Sequence, residues 1–585
     1  MNIIGIHDGH NASVALFQNG KITYAVSEER ILRKKNAGGF PKKALERLIN
    51  DTLLTPDKIN AVFFSGLKTP RPQWYEKEKI LERYKEQLNS STRNTNIYNK
   101  LKNIIYKSFI EGGDKSLEEL NKNRIENMLN LGFSIRQLGF LDHHECHAAA
   151  AYYSLGNYED EILCLTNDGG GDGLCATVNI GKEGQIKRIS STNQIHSIAN
   201  LYARTTFLLG MMPLEHEYKL MGMAPYSDLK KASNLAKNIV SRFELQEDGS
   251  LSWKKKDHLE PTAWWGPYLK ELFYLVRFDT IAAAIQLALE ELAIKWIKNC
   301  IKKTNIHQLA LSGGTFMNVK LNKLILELPE VESIFVMPSC SDESNSIGAA
   351  FLGAVRKGFD GSRILPLKDL YLGPKYSGND IDVALDKFLK KDNFFVTKPE
   401  CIEDEIASLL AKGHIVANYS AREEFGARAL GNRSILSDPS RLENITELNK
   451  MIKQRDFWMP FAGIMTAQQA KRNIINPKNH FAPYMIIAFD TNKHISEFRA
   501  AIHPYDMTIR PQILLEEWNP RLYKILKLFE LQTGKSGGLL NTSFNLHGFP
   551  IVSSPYDALD VFNKSGLLFL AIGPYLVSKN SVSKK

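Results

Sequence analysis

The chain opens with three short apolar runs, "NIIGI", "ASVALF" and "KITYAV", separated by "HDGHN" and by Asn19-Gly20. Apolar runs of this length bounded by turn residues predict strands, and Asn-Gly between two of them predicts a tight hairpin. The stretch "EILCLTNDGGGDGLCATVNIGKEGQIKRIS" at 161–190 reads the same way: strand, Asp/Gly-rich turn, strand, Gly turn, strand. One unit met twice, about 160 residues apart, predicts a duplicated half-domain. "DTIAAAIQLALEELAIKWIKNCI" predicts a long core helix, while "HQLALSGGTFMNVKLNKLI" and "IFVMPSCSDESNSIGAAFLGAV" each read strand, turn, helix. The order is α/β throughout.

Two stretches interrupt this rhythm. Residues 74–130 carry the charged, helix-like "EKEKILERYKEQLN" and "SLEELNKNRIENMLNLG". They are expected to form an insertion with a solvated face and a candidate role in acceptor choice. Residues 356–374, "RKGFDGSRILPLKDLYLGP", break the pattern with Gly, Pro and Lys and are read as a linker. The expected domains are therefore 1–355 and 375–585, the second another α/β unit rich in Arg and Asn.

Composition narrows the class. With 585 residues, 43% hydrophobic and 24% charged, the chain is globular and too long for one ordinary core. No apolar run reaches the roughly 18–20 residues of a membrane span, so no membrane partner is expected. The first residues lack the basic start and long apolar stretch of a signal peptide, which predicts a cytoplasmic protein. Six cysteines are scattered without a CxxC pair, so reduced thiols are expected. A net charge of +10 suits anionic ligands such as nucleotides, or simply Lys-rich surface helices such as "SEERILRKKN", read as a solvated helix start.

"LDHHECHAAAAYY" at 141–153 carries the densest chemistry. On a helix, His143 and His147 are one turn apart on one face and form a workable pair of metal ligands. His144 competes for the role. Asp168 in "NDGGGDG" and Asp342 in "SCSDESNS" are candidate distant ligands. The plainer alternative is a helix capped by Asp142 with its histidines in the core. The glycine-rich stretches "HDGHNAS", "NDGGGDG" and "LSGGTFMN" together suit a nucleotide cleft. Phosphates would lie on the backbone near Gly169 and Gly170, and adenosine near Ser312, Gly313, Gly314 and Asn318. Lys219 in "HEYKLMGMAPY" is a further candidate contact.

The second domain gathers cations. Arg428 and Arg433 lie in "YSAREEFGARALGNRSILSDP", Lys453 and Arg455 in "MIKQRDFWMPFAG", and Arg510 in "MTIRPQ". Lys453 and Arg455 alternate as if on one face of a strand, as do Asn541, Ser543 and Asn545 in "NTSFNLHGFPIVSSP". Guanidinium forks beside glycines predict an anion pocket.

Taken in order, "GHNASVAL", "SEERILRKKN", "HHECHAAAAY", "HEYKLMGMAPY", "GARALGNRSIL" and "NTSFNLHGFPIV" resemble the O-carbamoyltransferases of the nodulation-factor, cephalosporin and tobramycin type, over nearly the whole chain. The resemblance implies a duplicated actin/hexokinase-like N-terminal domain and a YrdC-like C-terminal domain. It implies that ATP, with Mg2+, and carbamoyl phosphate form carbamoyl-AMP in the C-terminal domain. The N-terminal domain then moves the carbamoyl group to a hydroxyl of a sugar or small-molecule acceptor, as in secondary metabolism. His143, His147 and Asp342 match the family's metal motif, with Asp168 as a fourth candidate. Iron is the expected divalent ion and zinc or manganese the alternatives. Lys453 and Arg455, and Ser543 and Asn545, match the KxR and SxN signatures of the YrdC fold. Arg428, Arg433 and Arg510 match its phosphate-facing cations. His10 is the candidate base of the transfer step. Three other readings stay open: an actin-fold kinase, a tRNA threonylcarbamoyl transferase and a non-enzymatic ATP-binding regulator. Nucleic acid is not expected, since no RNA-binding module is recognisable, and a homodimer is kept as an option.

Overall fold

A computed structural model describes residues 1–89, 116–245, 250–389, 394–492, 495–535 and 538–579. The remainder of the 74–130 insertion, residues 90–115, lies outside the described residues. The chain divides into two units, Met1–Glu28 with Asn36–Leu367, and Glu29–Lys35 with Lys368–Lys585.

The first unit contains β1 (Asn2–His7), β2 (Ser13–Gln18), β3 (Lys21–Ser27), β4 (Ala61–Ser65) and β5 (Leu138–Leu141) in one sheet, ordered β3-β2-β1-β4-β5. The β1–β2 and β2–β3 pairs are antiparallel, while β4 and β5 add in parallel. Its second sheet holds β6 (Ile162–Gly171), β7 (Leu174–Lys182), β8 (Gln185–Asn193), β9 (Gln308–Ser312) and β10 (Ser333–Val336), ordered β10-β9-β6-β7-β8. Again the first three strands are antiparallel and the last two parallel. The two sheets share one topology, so the repeat seen in the sequence is a repeat of fold.

The hairpins close as their sequences dictate. Asn19 and Gly20 both have positive φ (52° and 80°), the backbone of a primed turn that matches strand twist. In the second copy the turn is Asp172-Gly173, with φ of 49° and 85°. Gly169 and Gly170 lie inside β6 rather than in the turn, because the strand continues to Gly171 and pairs it with Leu174.

Four helices of this unit matter below: α1 (Lys122–Asn130), α2 (His143–Leu155), α3 (Phe278–Thr304) and α4 (Asn345–Arg356). The predicted core helix is α3, with Ile281, Leu289 and Trp296 buried. At Gly348 a Cβ would lie 1.9 Å from the Cys146 carbonyl oxygen, so only glycine lets α4 pack this closely on α2. Trp253 and Trp265, each 4% exposed, pack on Trp296 and Phe243, so they fill the core. No helix among the described residues is long and apolar enough to cross a membrane.

The second unit is built on an eight-stranded mixed sheet. Its strands are β11 (Phe394–Thr397), β12 (Val416–Tyr419), β13 (Arg433–Ser437), β14 (Ala462–Met465), β15 (Pro511–Ile513), β16 (Leu539–Ser543), β17 (Phe569–Ile572) and β18 (Tyr575–Lys579). They run β11-β18-β17-β12-β13-β16-β14-β15. Ala417, Ile435, Leu540 and Leu570 from its central strands join Phe562 in one apolar core.

A helix does begin at Glu28 and Lys34 is exposed, but Arg30 and Arg33 depart from the solvated helix start expected of them. Arg30 is 2% exposed, donates to the Gly426 carbonyl at 2.7 Å and faces Glu423 at 3.5 Å. Arg33 donates to the Pro550 and Ile551 carbonyls and lies 3.5 Å from Asp557. These acceptors allow Arg30 to be buried and Arg33 half-buried, while Leu32 and Lys34 stay exposed. Lys368, inside the expected linker, likewise accepts a hydrogen bond at its carbonyl from Tyr484.

Candidate metal centre and cation cluster

Asp142 caps α2, accepting from the Glu145 N–H at 2.9 Å, and pairs with Arg188. The helix then turns His143 and His147 to one side, both buried. Asp168 near the end of β6 and Asp342 after β10 complete the group, with donor atoms all within 4.8 Å of one another. His147 Nε2 is 3.1 Å from Asp168 Oδ2 and 3.5 Å from Asp342 Oδ1. His143 Nε2 is 3.4 Å and 3.6 Å from the same two oxygens. Neighbouring ligands held about 2.1 Å from a common ion are separated by similar distances. Two imidazoles and two carboxylates thus fit a divalent transition metal, both in geometry and in donor type.

Electrostatics support that fit. Burial alone would depress the His143 pKa, but Asp342 and Asp168 outweigh it and raise it to about 9. Burial would raise Asp168, yet hydrogen bonds from both histidines hold it well below the usual carboxylate range. The two carboxylates make the pocket favourable to positive charge, which a bound cation would supply in place of a proton.

His144, the competing ligand, is excluded by its hydrogen bonds. Its Nδ1 meets Thr166 Oγ1 at 2.8 Å and its Nε2 meets the Leu174 carbonyl at 3.1 Å. The carbonyl can only accept, so Nε2 carries the proton and Nδ1 accepts from the threonine. Burial and the neighbouring His143 and His147 push its pKa down to about 3.

The glycine-rich stretches serve this cluster more directly than expected. Ser312 Oγ lies 3.1 Å from His147 Nδ1. Gly313 has φ of 104°, and a Cβ there would meet the Asn167 carbonyl at 2.3 Å. A Cβ on Gly314 would sit 3.2 Å from Asp168 Oδ1. The Gly169 N–H donates to Asp168 Oδ1, and a Cβ on Gly170 would strike Gln194. Asn318 caps the following helix by accepting from Leu321 N–H, and pairs with Gln286. Lys219 lies partly exposed in the short helix Glu217–Met223.

Around the first turn, the His10 carbonyl accepts from His7 Nε2 at 3.1 Å, and the His10 side chain is partly exposed. His7 itself lies 3.7 Å from Asp342 Oδ2. Sequence reasoning missed His7, and it missed Arg124, whose buried guanidinium binds Asp8 through two hydrogen bonds. It also missed Asp172, which accepts from the backbone N–H groups of His143 and Leu67. Acidic and basic types at these positions were visible, but nothing local distinguished them from surface charges.

In the second unit, Lys453 is not on a strand. It ends a π-helical turn, Asn449–Lys453, and Gln454 follows in left-handed conformation with φ of 45°. The irregular turn carries the amine into the sheet, where it donates to Ser543 Oγ at 3.1 Å and Asn545 Oδ1 at 2.8 Å. Burial first, then Arg455 and Lys35, push the Lys453 pKa well below the ordinary lysine value. Burial, Arg428 and Arg455 do the same to Arg510. Lys453, Arg455, Arg428 and Arg510 are thus gathered, as an anion site requires.

Arg433 is placed differently. It is fully buried, donates to the carbonyls of Ser420, Asn432 and Ala421, and stacks 3.8 Å from the Tyr419 ring centre. Those contacts make it part of the framework beneath the cluster. Glu424 supports the same loop by accepting from the N–H groups of Leu430, Asn432 and Arg433.

Residues 2–351 match the family description Carbamoyltransferase N-terminus, and residues 407–579 match Carbamoyltransferase C-terminus. The chain belongs to the carbamoyltransferase family and is a transferase enzyme. Among particular relatives, it is 30% identical to the nodulation protein NolO of Bradyrhizobium diazoefficiens, across 76% of this chain and 80% of that one. It is 26% identical to the 3'-hydroxymethylcephem-O-carbamoyltransferase of Amycolatopsis lactamdurans, across 65% and 71%. A Methanocaldococcus jannaschii protein, MJ1058, is 31% identical across 83% and 78%.

Proposed function

We propose that this carbamoyltransferase works in two steps, activation in the second unit and transfer in the first. The observation that carries the reading is the presence of two unlike sites in one chain of this family. One is the His143, His147, Asp168 and Asp342 cluster, and the other is the cation cluster around Lys453. The units are read as an actin/hexokinase-like domain and a YrdC-like domain, the first supported by its doubled sheet topology. The enzyme is read as cytoplasmic.

In the activation step, water cleaves carbamoyl phosphate to carbamate and phosphate. A carbamate oxygen then attacks the α-phosphorus of Mg2+-bound ATP, and the bond to the β-phosphate oxygen breaks. Carbamoyl-AMP and pyrophosphate result. Lys453, Arg455, Arg428 and Arg510 bind the phosphate oxygens and stabilise charge as it moves to pyrophosphate. Ser543 and Asn545 hold the Lys453 amine in place.

In the transfer step, the acceptor hydroxyl attacks the carbamoyl carbon, AMP leaves, and the hydroxyl proton passes to a base. His10 is the residue assigned to that proton, since an imidazole is competent near neutral pH. His143, His147, Asp168 and Asp342 would hold the ion, read as iron, with zinc and manganese suited to the same donors. When bound, it supplies Lewis acidity toward the carbamoyl oxygen or the AMP phosphate. Backbone around Gly169, Gly170, Gly313 and Gly314, with Lys219 and Asn318, lines the nucleotide side of this site. The acceptor is a sugar or small-molecule alcohol, of the kind the Amycolatopsis relative's name describes.

Incubation with ATP and carbamoyl phosphate tests the reading. Pyrophosphate should appear only with both present, and omission of carbamoyl phosphate should abolish it. ATP consumption without carbamoyl phosphate, with phosphate transfer to an alcohol, would favour the kinase reading instead.

A further inference from the structure

We infer that Ser312 is a positioning residue of the metal centre, fixing which ring nitrogen of His147 carries the proton. The inference rests on the metal reading above. An imidazole offers a lone pair at one nitrogen only when its proton sits on the other. For His147 Nε2 to face the two carboxylates as a ligand, the proton must be on Nδ1. Ser312 Oγ lies 3.1 Å from that Nδ1 and accepts it.

The serine is held for this purpose. It is fully buried, ends β9, and stands across from Thr166 of β6. The next residue, Gly313, donates its N–H to the Cys340 carbonyl at 2.8 Å and is pressed against the Asn167 backbone. The peptide that carries the hydroxyl is therefore fixed on both sides.

Asn345, the first residue of α4, does not select a nitrogen of His143 in this way: its carboxamide nitrogen lies 3.4 Å from Nδ1 and 3.5 Å from Nε2. His144 provides the contrast: both its nitrogens are committed to Thr166 and Leu174, so it stands aside between two ligands.

The test is a Co2+ titration of the metal-free full-length chain against a competing chelator, with the visible absorption of bound Co2+ recorded. Ser312→Ala should weaken Co2+ binding about 10–100-fold and alter the absorption bands. Ser312→Thr, which keeps the hydroxyl, should restore both. Thermal melting of each metal-free variant controls for folding, and comparison of Ser312→Thr with Ser312→Val keeps the test decisive if the alanine variant is unstable. Wild-type affinity and unaltered bands in Ser312→Ala, with Co2+ binding lost in His147→Ala, would overturn this inference alone. Failure of the wild-type chain to bind Co2+ would overturn the metal reading and this inference together.

Discussion

Arg124 and Asp8 form a buried, two-pronged ion pair, Nε to Oδ2 at 2.7 Å and a terminal nitrogen to Oδ1 at 2.5 Å. Arg124 also donates to the carbonyls of Gly66 and Ser65, so one guanidinium from α1 ties the first turn to the end of β4. Removing it leaves a carboxylate buried without its partner. Arg124→Ala should therefore lower unfolding stability by about 3–5 kcal/mol. Arg124→Lys should recover little, because an ammonium cannot reproduce the fork. Denaturant unfolding of the full chain checks both.

Arg30 should matter to the second unit despite its place near the chain start. Its partners there are Glu423 and the Gly426 carbonyl. Arg30→Ala should increase amide exchange across residues 423–433 while leaving β1 and β4 protected. Equal protection of residues 423–433 in Arg30→Ala and the wild type would mean that the buried pair does not hold that loop.

Glu217 gives the stability a pH dependence. Burial raises its pKa from 4.5 to about 7, only partly offset by the Leu214 N–H. The folded chain thus keeps a proton that the unfolded chain releases. The contribution is fully present below the unfolded pKa of about 4.5 and is lost as pH rises through about 7. Glu217→Gln should flatten the fall in melting temperature between those values. A wild-type melting temperature that rises across the window through this residue would contradict the assignment.

Chelation should separate the two sites. Removing the ion from the His143 and His147 cluster with a chelator selective for transition metals, Mg2+ being kept in excess, should stop carbamoylation of an acceptor alcohol. Pyrophosphate formation from ATP and carbamoyl phosphate should continue, because Lys453 and its neighbours do not depend on that ion.

Local pattern made the doubled half-domain legible, since strand length and the Asn19-Gly20 turn are set by neighbours in sequence. It also made His143 and His147 legible, since one helical turn separates them. Asp168 and Asp342 were readable as candidates from their turns, and the family resemblance singled them out; spacing could not join them, because they reach the same point from β6 and β10. Three features lay beyond local reading. Lys453 alternates with Arg455 like a strand residue, yet a π-helical turn delivers it. Arg433 has the composition of an anion contact, yet the carbonyls of Ser420, Asn432 and Ala421 take its two terminal nitrogens. Arg30 looks like surface charge until Glu423 arrives from the far end of the chain. Lys453 and Arg30 depend on partners distant in sequence, and Arg433 on the path of the loop before it, none of which spacing encodes.

The division of labour is tested most directly by carbamoyl-phosphate-dependent exchange of labelled pyrophosphate into ATP, measured in His147→Ala and Lys453→Ala. The account predicts exchange near the wild-type rate in His147→Ala, with acceptor carbamoylation abolished, and no exchange in Lys453→Ala. Loss of exchange in both variants alike, or its survival in Lys453→Ala, would contradict it.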